Sequence, residues 1–385
     1  CIKKASCLIT SKEIRDINLE EKSYIVVKDT LKALQEISRY KRIKSKAKFI
    51  AITGSNGKTT VKEMVAHILS DHKICYTKGN LNNHIGVPLT LLSMKQNEDY
   101  VIIEIGANNL GEISPLANIV NPDIAAVTNI GYAHIEGFKN LNNTAKEKYS
   151  IFNSVKNDGF FIINNEDKYR KFIRKGNKFF FGAEKSHYNK IKKILRNIFY
   201  KNNFLCINKI NNNHYIYKNS STKIKLNLNL NGEHNYYNAA CAASIAICLG
   251  FKLDYIKGKL ESFKSVSSRL KLYKLPNNIH IIDDCYNANP NSFKVAIEFL
   301  SSLDKKKLVL MGDMVELGKD SELFHTDVGK YAKTLGIDKF LSIGSDSKFA
   351  SRAFGLNGHH FEDSESLKSY LNNNLNPSSR ILIKG

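Results

Sequence analysis

From Phe49 onward the chain alternates short apolar runs with longer segments whose apolar residues recur every three or four positions. "FIAIT" (49–53), "YVIIEIG" (100–106) and "DIAAVTNIG" (123–131) are the runs, and Val61, Met64, Val65, Ile68 and Leu69 give the helical spacing after the first. Strands that are apolar throughout are buried on both faces, so the pattern predicts a mostly parallel sheet covered by helices. A second series starts near residue 268: "IHIIDD", "NSFKVAIEFLSSL", "KLVLMGD", "SELFHTDVGKYAKTLG", "KFLSIG" and "RILIK" alternate strand and helix in Rossmann-like fashion. Between the two series, "NGEHNYYNAACAASIAICLG" reads as a helix of small apolar residues. The Lys- and Asn-rich stretch 185–230 shows only weak two-residue alternation and is expected to form edge hairpins.

The N-terminal region is less regular. "CIKKASCLITSKEI" offers no clean register. "SYIVVKDTLKALQEISRY" predicts a strand from Tyr24 to Val27 and a helix capped by Asp29, with Leu31, Leu34 and Ile37 on one face. About 40 residues are too few for a domain, so this region is expected to be the tail of one whose beginning is absent. The chain stops at Gly385 just after a strand, and both ends are expected to be cut. The expected fold class is therefore α/β: an N-terminal remnant (1–45), a central P-loop-type parallel-sheet ATPase domain (46–267) and a truncated Rossmann-like domain (268–385).

Composition changes this picture little. The seven cysteines are scattered without a C-x-x-C pair, which suits free thiols in a reducing, cytoplasmic setting. No apolar run is long enough for an integral membrane segment. A net charge of +22 invites a nucleic-acid partner. The lysines are diffuse and accompany many Asn and Ile, so compositional drift is the favoured explanation and no nucleic acid is expected.

Chemistry concentrates at "TGSNGKTT" (53–60), set between an apolar strand and an amphipathic helix. Gly54 and Gly57 let the backbone approach an anion, Lys58 supplies charge for β/γ-phosphates, and the Thr59 hydroxyl can ligate Mg²⁺. The glycine of the common G-x-x-x-x-G-K-[ST] pattern is replaced by Ile52. Glu104 interrupts an apolar strand, where a carboxylate needs a cation or several donors; it is either a metal ligand or a strand-end ion-pair partner. His134, in a glycine-flanked loop, is by itself more often structural than a ligand.

The loop resembles the ATP loop of the Mur ligase family, the ATP-dependent amide-forming enzymes of peptidoglycan assembly and their folylpolyglutamate synthase relatives. "TKGNLNNHIGVPLTLL", "IEIGANNLGEI", "VTNIGYAHIEGF", "NGEHNYYNAA", "SSRLKLY", "DDCYNANPNSF" and "LVLMGDMVELG" follow in the family's order and extend the resemblance from about Ser23 to Gly385. "GANNLGEI" and the last two stretches are most similar to the member that joins D-alanyl-D-alanine to UDP-N-acetylmuramoyl-tripeptide. Another Mur-type ligase, a folylpolyglutamate synthase or a non-catalytic nucleotide-binding module is the alternative.

The resemblance implies roles residue by residue. Gly54, Ser55, Asn56, Gly57, Lys58, Thr59 and Thr60 would hold ATP, and Thr59 with Glu104 would hold Mg²⁺. His134 and a lysine fourteen residues later, Lys148, would serve a second metal, the lysine as its carbamate; Lys146 competes for that role, and "K-x-x-I-F" favours Lys148. Asn235 and Asn238 would lie at the nucleotide, although Asn235 also reads as a helix N-cap. Arg269 would meet phosphate near the interdomain hinge. Asp284 and Tyr286 would lie near ribose and adenine; solvated strand-end charge is the alternative for Asp284, although the carboxyl ends of parallel strands are where α/β sheets bind ligands. Asn82 and Asn83 would contact the UDP-muramoyl peptide. Asn287 and Asn289 would meet the incoming dipeptide, with an Asn289–Pro290 turn as the equal alternative for the latter. Lys58, His134 and Lys148 are the expected catalytic residues. The enzyme is expected to act as a monomer.

Overall fold

Two large sheets carry the chain, with a small one beside them. The structure, a computed structural model, describes residues 5–13, 23–183, 204–210, 213–218, 222–264 and 269–385. The boundary expected at 267/268, the first residues of "SSRLKLY" and positions 185–203 of the expected hairpin region lie outside the described residues.

β1 (Cys7–Thr10) and β2 (Ser23–Val26) pair in parallel, and α1 (Thr30–Lys44) follows. β1 was not expected from the sequence, and β2 starts and ends one residue before the predicted strand. Asp29 caps α1 as expected, its side chain accepting from the N–H groups of Leu31 and Lys32. The predicted face of α1 needs correction, because Ile37 is 44% exposed while Ser38 and Arg42 are buried. Arg42 donates through Nε to the Val120 carbonyl (2.5 Å) and through Nη2 to the Asn121 carbonyl (2.8 Å), and its guanidinium lies over the Phe49 ring. A buried cation is tolerable here because it satisfies the last carbonyls of another helix and complements that helix's negative end.

The larger sheet comprises β3 (Lys48–Thr53), β4 (Ile74–Tyr76), β5 (Tyr100–Glu104), β6 (Ile124–Val127), β7 (Phe160–Asn164), β8 (Asn177–Ala183), β9 (Phe204–Ile210), β10 (Asn213–Lys218) and β11 (Thr222–Leu226). Their order is β11-β10-β9-β8-β7-β6-β3-β5-β4. From β4 to β9 neighbouring strands are parallel; β10 and β11 add an antiparallel edge, as the weak alternation suggested. β9 is more deeply built in than expected, with Phe204, Leu205, Cys206 and Ile207 all buried.

On one sheet face pack α3 (Gly86–Leu92), α4 (Ile113–Val120) and α6 (Leu141–Tyr149), the last preceded by the short α5 (Ile135–Phe138). On the other pack α2 (Lys58–Ile68), α7 (His234–Cys248) and α8 (Leu253–Ser262). The alanines of α7 are fully buried, so its small side chains let the helix lie close against the sheet.

The second large sheet takes β12 (Lys271–Leu275), β13 (Ile279–Asp283), β14 (Lys307–Met311), β15 (Lys339–Ile343), β16 (Gly358–Phe361) and β17 (Arg380–Lys384) in the order β12-β13-β17-β14-β15-β16. Only β12 is antiparallel to its neighbour. Helices α9 (Pro290–Ser301), α10 (Ser321–Thr334) and α11 (Lys348–Phe354) cover one face and α12 (Ser364–Asn374) the other. The fold is α/β with two predominantly parallel sheets. In both, the carboxyl ends of the strands point to a shared cleft, where open parallel sheets bind ligands.

Candidate active site

The cleft has a volume of about 700 Å³ and is lined from both sheets. Its floor is the turn between β3 and α2. Gly54 (φ +148°) and Gly57 (φ +81°) hold left-handed conformations, and the backbone of the turn is pinned from β6's side. Thr128 Oγ1 and Asn129 Nδ2 donate to the Asn56 carbonyl (2.6 and 2.9 Å), Asn129 Oδ1 accepts from Asn56 N (3.0 Å), and Ser55 exchanges bonds with Gly131. The N–H groups in the first turn of α2 have no helix carbonyl to bond and face the cleft at the positive end of the helix dipole.

Both glycines are required by shape as well as by backbone angle. A Cβ on Gly57 would lie 2.4 Å from Asn238 Oδ1. Gly57→Ala is expected to lower stability by about 1–3 kcal/mol, the usual strain of a left-handed non-glycine residue. Nucleotide affinity should fall at least about tenfold, since the turn and Asn238 must move apart. Thermal unfolding and nucleotide titration measure the two effects.

Lys58 is half-buried and folds back on its own turn, donating to the Gly54 carbonyl at 2.9 Å. Burial pushes its pKa down, Glu104 opposes the shift, and Arg269 adds to it. Glu104 ends β5 in register with Ile52 of β3, which sets its carboxylate beside the turn. Its Oε1 accepts from Asn82 Nδ2 (2.8 Å), whereas Oε2 is buried without a hydrogen-bond partner. Thr59 is buried, and its hydroxyl accepts from Arg269 Nη2 (3.0 Å), so the arginine reaches across the cleft. The Arg269 guanidinium also stacks on Tyr286, 4.1 Å from its ring centroid.

Further along the cleft, His134 occupies a left-handed position (φ +53°) at the start of α5, and Glu316 of the second sheet unit meets its Nδ1. Burial lowers the His134 pKa, and Lys58 and Lys148 lower it further against the pull of Glu316. Lys148, on α6, is completely buried; its Nζ lacks a hydrogen-bond partner and sits 5.0 Å from the Phe138 ring centroid. Burial, reinforced by Lys58, brings its pKa down to about 7. The competing Lys146 is exposed.

Among the described residues no group of three or more His, Cys, Asp or Glu side chains would hold a metal by itself. The donors nevertheless fit Mg²⁺, which is usually held by one or two carboxylates with substrate phosphates and water completing the shell. The orphaned Glu104 oxygen and the Thr59 hydroxyl are hard oxygen donors beside the glycine turn.

The remaining expected residues divide. Asn235 and Asn238 are buried and bond to each other (3.1 Å), with Asn235 Nδ2 also donating to the Asn231 carbonyl. The helix start there is Glu233, without a side-chain cap bond, so the N-cap alternative for Asn235 fails. Asn82, Asn83, Asp284, Tyr286 and Asn287 line the cleft. Asn83 Oδ1 accepts from the Ile85 and Gly86 N–H groups just ahead of α3. Asn289 is not among the lining residues. It makes a capping box with Ser292 at the start of α9, and its Nδ2 donates to Asn56 Oδ1 (2.7 Å), joining α9 to the glycine turn.

Three residues escaped the sequence reading. Lys384 is buried at the end of β17 and donates to Asp284 Oδ2 (2.6 Å) and the Asn287 carbonyl (2.8 Å). A charged residue ending an apolar strand was the signal that singled out Glu104, and it was equally present in "RILIK". Glu147 is buried and accepts from the N–H groups of Gly111 and Ile113, capping α4. Glu316 lies in "LVLMGDMVELG", where nothing distinguishes it from any loop carboxylate.

A glycine turn facing a second α/β unit across one cleft is the architecture that comparison with known proteins identifies. Residues 52–246 match the Mur ligase middle domain, and residues 268–385 match the glutamate ligase domain of Mur ligases. The chain belongs to the Mur ligase family. It is 37% identical over 393 residues to the UDP-N-acetylmuramoyl-tripeptide–D-alanyl-D-alanine ligase of Buchnera aphidicola, covering all of this chain and 82% of that one. MurF from Acinetobacter baumannii superposes with a TM-score of 0.85 at 30% identity, over 98% of this chain and 81% of that one. MurF of Thermotoga maritima, solved in complex with ADP, shares the fold at a TM-score of 0.82 and 23% identity, over 99% of this chain and 85% of that one.

Proposed function

We propose that the chain is a UDP-N-acetylmuramoyl-tripeptide–D-alanyl-D-alanine ligase that couples ATP cleavage to amide formation. The observation that carries this reading is the cleft itself. It combines an anion-binding turn and an orphaned carboxylate oxygen, and behind its wall, close enough to act electrostatically on His134, lies the buried Lys148 amine with a pKa of about 7, in a relative of enzymes bearing that name.

A carboxylate is a poor electrophile, so the tripeptide's terminal carboxylate oxygen attacks the γ-phosphorus and the bond to ADP breaks, giving an acyl phosphate. The amine of D-alanyl-D-alanine then adds to the carbonyl, phosphate leaves and the nitrogen loses a proton. Gly57, Thr59 and Thr60 offer backbone N–H groups to the phosphates, and Lys58 swings from the Gly54 carbonyl to the transferring group. Thr59 and Glu104 would hold one Mg²⁺, and His134 with Lys148 as its carbamate a second; the ions would supply charge neutralisation on phosphate oxygens. Carbamylation adds the Lys148 amine to CO₂ with loss of a proton, and burial supports it by leaving much of the amine neutral and nucleophilic at neutral pH.

Asn235, Asn238, Tyr286 and Asp284 line the nucleotide side. Asn82 and Asn83 face the muramoyl peptide and Asn287 the dipeptide. Arg269, bonded to Thr59 from the second unit, ties closure of the cleft to the phosphates and excludes water. Incubating the chain with ATP, Mg²⁺, UDP-N-acetylmuramoyl-tripeptide and D-alanyl-D-alanine tests the reading. A product with the mass of the joined pentapeptide is expected, and none should form with L-alanyl-L-alanine.

A further inference from the structure

The stretch "GDMVELG" follows β14 and is left without a task by the reaction above. In the structure its tip is seated on the loop that carries His134. Glu316, itself left-handed at φ +62°, brings its carboxylate against His134 Nδ1, and its carbonyl accepts from Glu136 N (3.1 Å). Asn108 Nδ2 reaches the other carboxylate oxygen at 3.5 Å. Around this contact the loop shares a core with "GDMVELG" and with α10 behind it. Ile135 packs with Met314 and Leu317, and the Tyr132 and Phe324 rings lie 5.1 Å apart between centroids. The loop is thus covered by the second sheet unit, far along the chain from the Arg269 and Asn289 contacts to the phosphate turn.

We propose that Glu316 is a positioning residue. It is a latch by which the second sheet unit, once closed on the first, fixes the ring of His134 and seals that end of the cleft against water. This inference rests on the ligase reading above. Two features support it on physical grounds. A histidine whose Nδ1 faces a carboxylate presents Nε2 in one orientation, the usual way an outer carboxylate aims an imidazole. Both partners hold left-handed backbone angles, which persist in non-glycine residues where the surrounding contacts enforce them, and such sites cluster at functional clamps. Glu316 comes from the opposite unit, so His134 is aimed only when the cleft is shut, and the acyl phosphate would form only where water is excluded.

The test uses the full chain with Glu316→Ala and, as the shape-conserving variant, Glu316→Gln. The first readout is hydrogen exchange of the backbone amides of 132–138 without ligands. The second is phosphate released per amide bond made, beside kcat and the ATP Kd. Wild type should release one phosphate per amide. Glu316→Ala should exchange faster in 132–138 but not in α2 or β3, lower kcat about ten- to a hundredfold, leave the ATP Kd within about twofold, and release several phosphates per amide. Glu316→Gln should lie between, so global misfolding of the alanine variant would not decide the matter. Unchanged exchange in 132–138, or a ratio that stays at one with kcat within twofold, overturns the latch. Should wild type form no amide at all, the ligase reading fails, and the exchange readout alone decides whether Glu316 holds the loop.

Discussion

Lys58→Ala is expected to lower kcat for amide formation by about 10²–10³, the loss that follows removal of one charged donor aimed at a developing anion. Nucleotide binding should weaken far less, because the N–H groups of the turn and α2's dipole remain. The reason lies in two positions available to one side chain. In the structure the ammonium rests on the Gly54 and Ser55 carbonyls, satisfied by its own turn. Burial and Arg269 disfavour its charge there, and Glu104 favours it. A γ-phosphate draws the ammonium out of that refuge and strengthens its charge where the transferring oxygens need it. Lys58→Arg should not restore the rate, since a planar fork cannot follow the same path as a compact ammonium. Steady-state kinetics beside nucleotide titration separates the two effects. A kcat within tenfold of wild type would remove Lys58 from the chemistry.

Lys148→Met should be nearly inactive and yet unfold at a higher temperature than wild type. A completely buried amine without a hydrogen-bond partner destabilises the fold, and a thioether of similar length does not. The pH dependence has a definite sign. With a folded pKa of about 7 against an ordinary 10.5, the unfolded chain binds the extra proton between those values. The penalty on the native state is therefore full below about pH 7 and fades as pH rises towards 10.5, so wild type and Lys148→Met should converge in stability over that interval. Activity follows the neutral amine. It should rise with pH through about 7 and with added bicarbonate, fall on removal of CO₂, and recover when CO₂ returns. A carbamate carbon signal with ¹³C-bicarbonate, present in wild type and absent in Lys148→Met, is the direct check. An active Lys148→Met would exclude the modified lysine from the mechanism.

What the sequence made legible follows from where physical constraint leaves a pattern. The central residues of β3, β5 and β6 are apolar because they are buried on both faces, and the strands stand where the runs predicted them. The phosphate turn was visible because Gly54, Gly57 and Lys58 are needed together. Glu104 was visible because a carboxylate stands out in an apolar strand. α1 misled because its buried face is built on Ser38 and Arg42, and an arginine is a tolerable interior residue only beside carbonyls 78 and 79 positions away. Glu316 is illegible for a similar reason: its partners, His134, Glu136 and Asn108, are brought to it only by the closing of one sheet unit on another.

The cleft is expected to spend ATP on one particular amide. Phosphate release measured with ATP, Mg²⁺ and UDP-N-acetylmuramoyl-tripeptide, with and without D-alanyl-D-alanine, tests it most directly. Release that requires both the tripeptide and the dipeptide, at one phosphate per amide, is the expected result. Release indifferent to the dipeptide, or no release from a chain that still binds ATP, would contradict it.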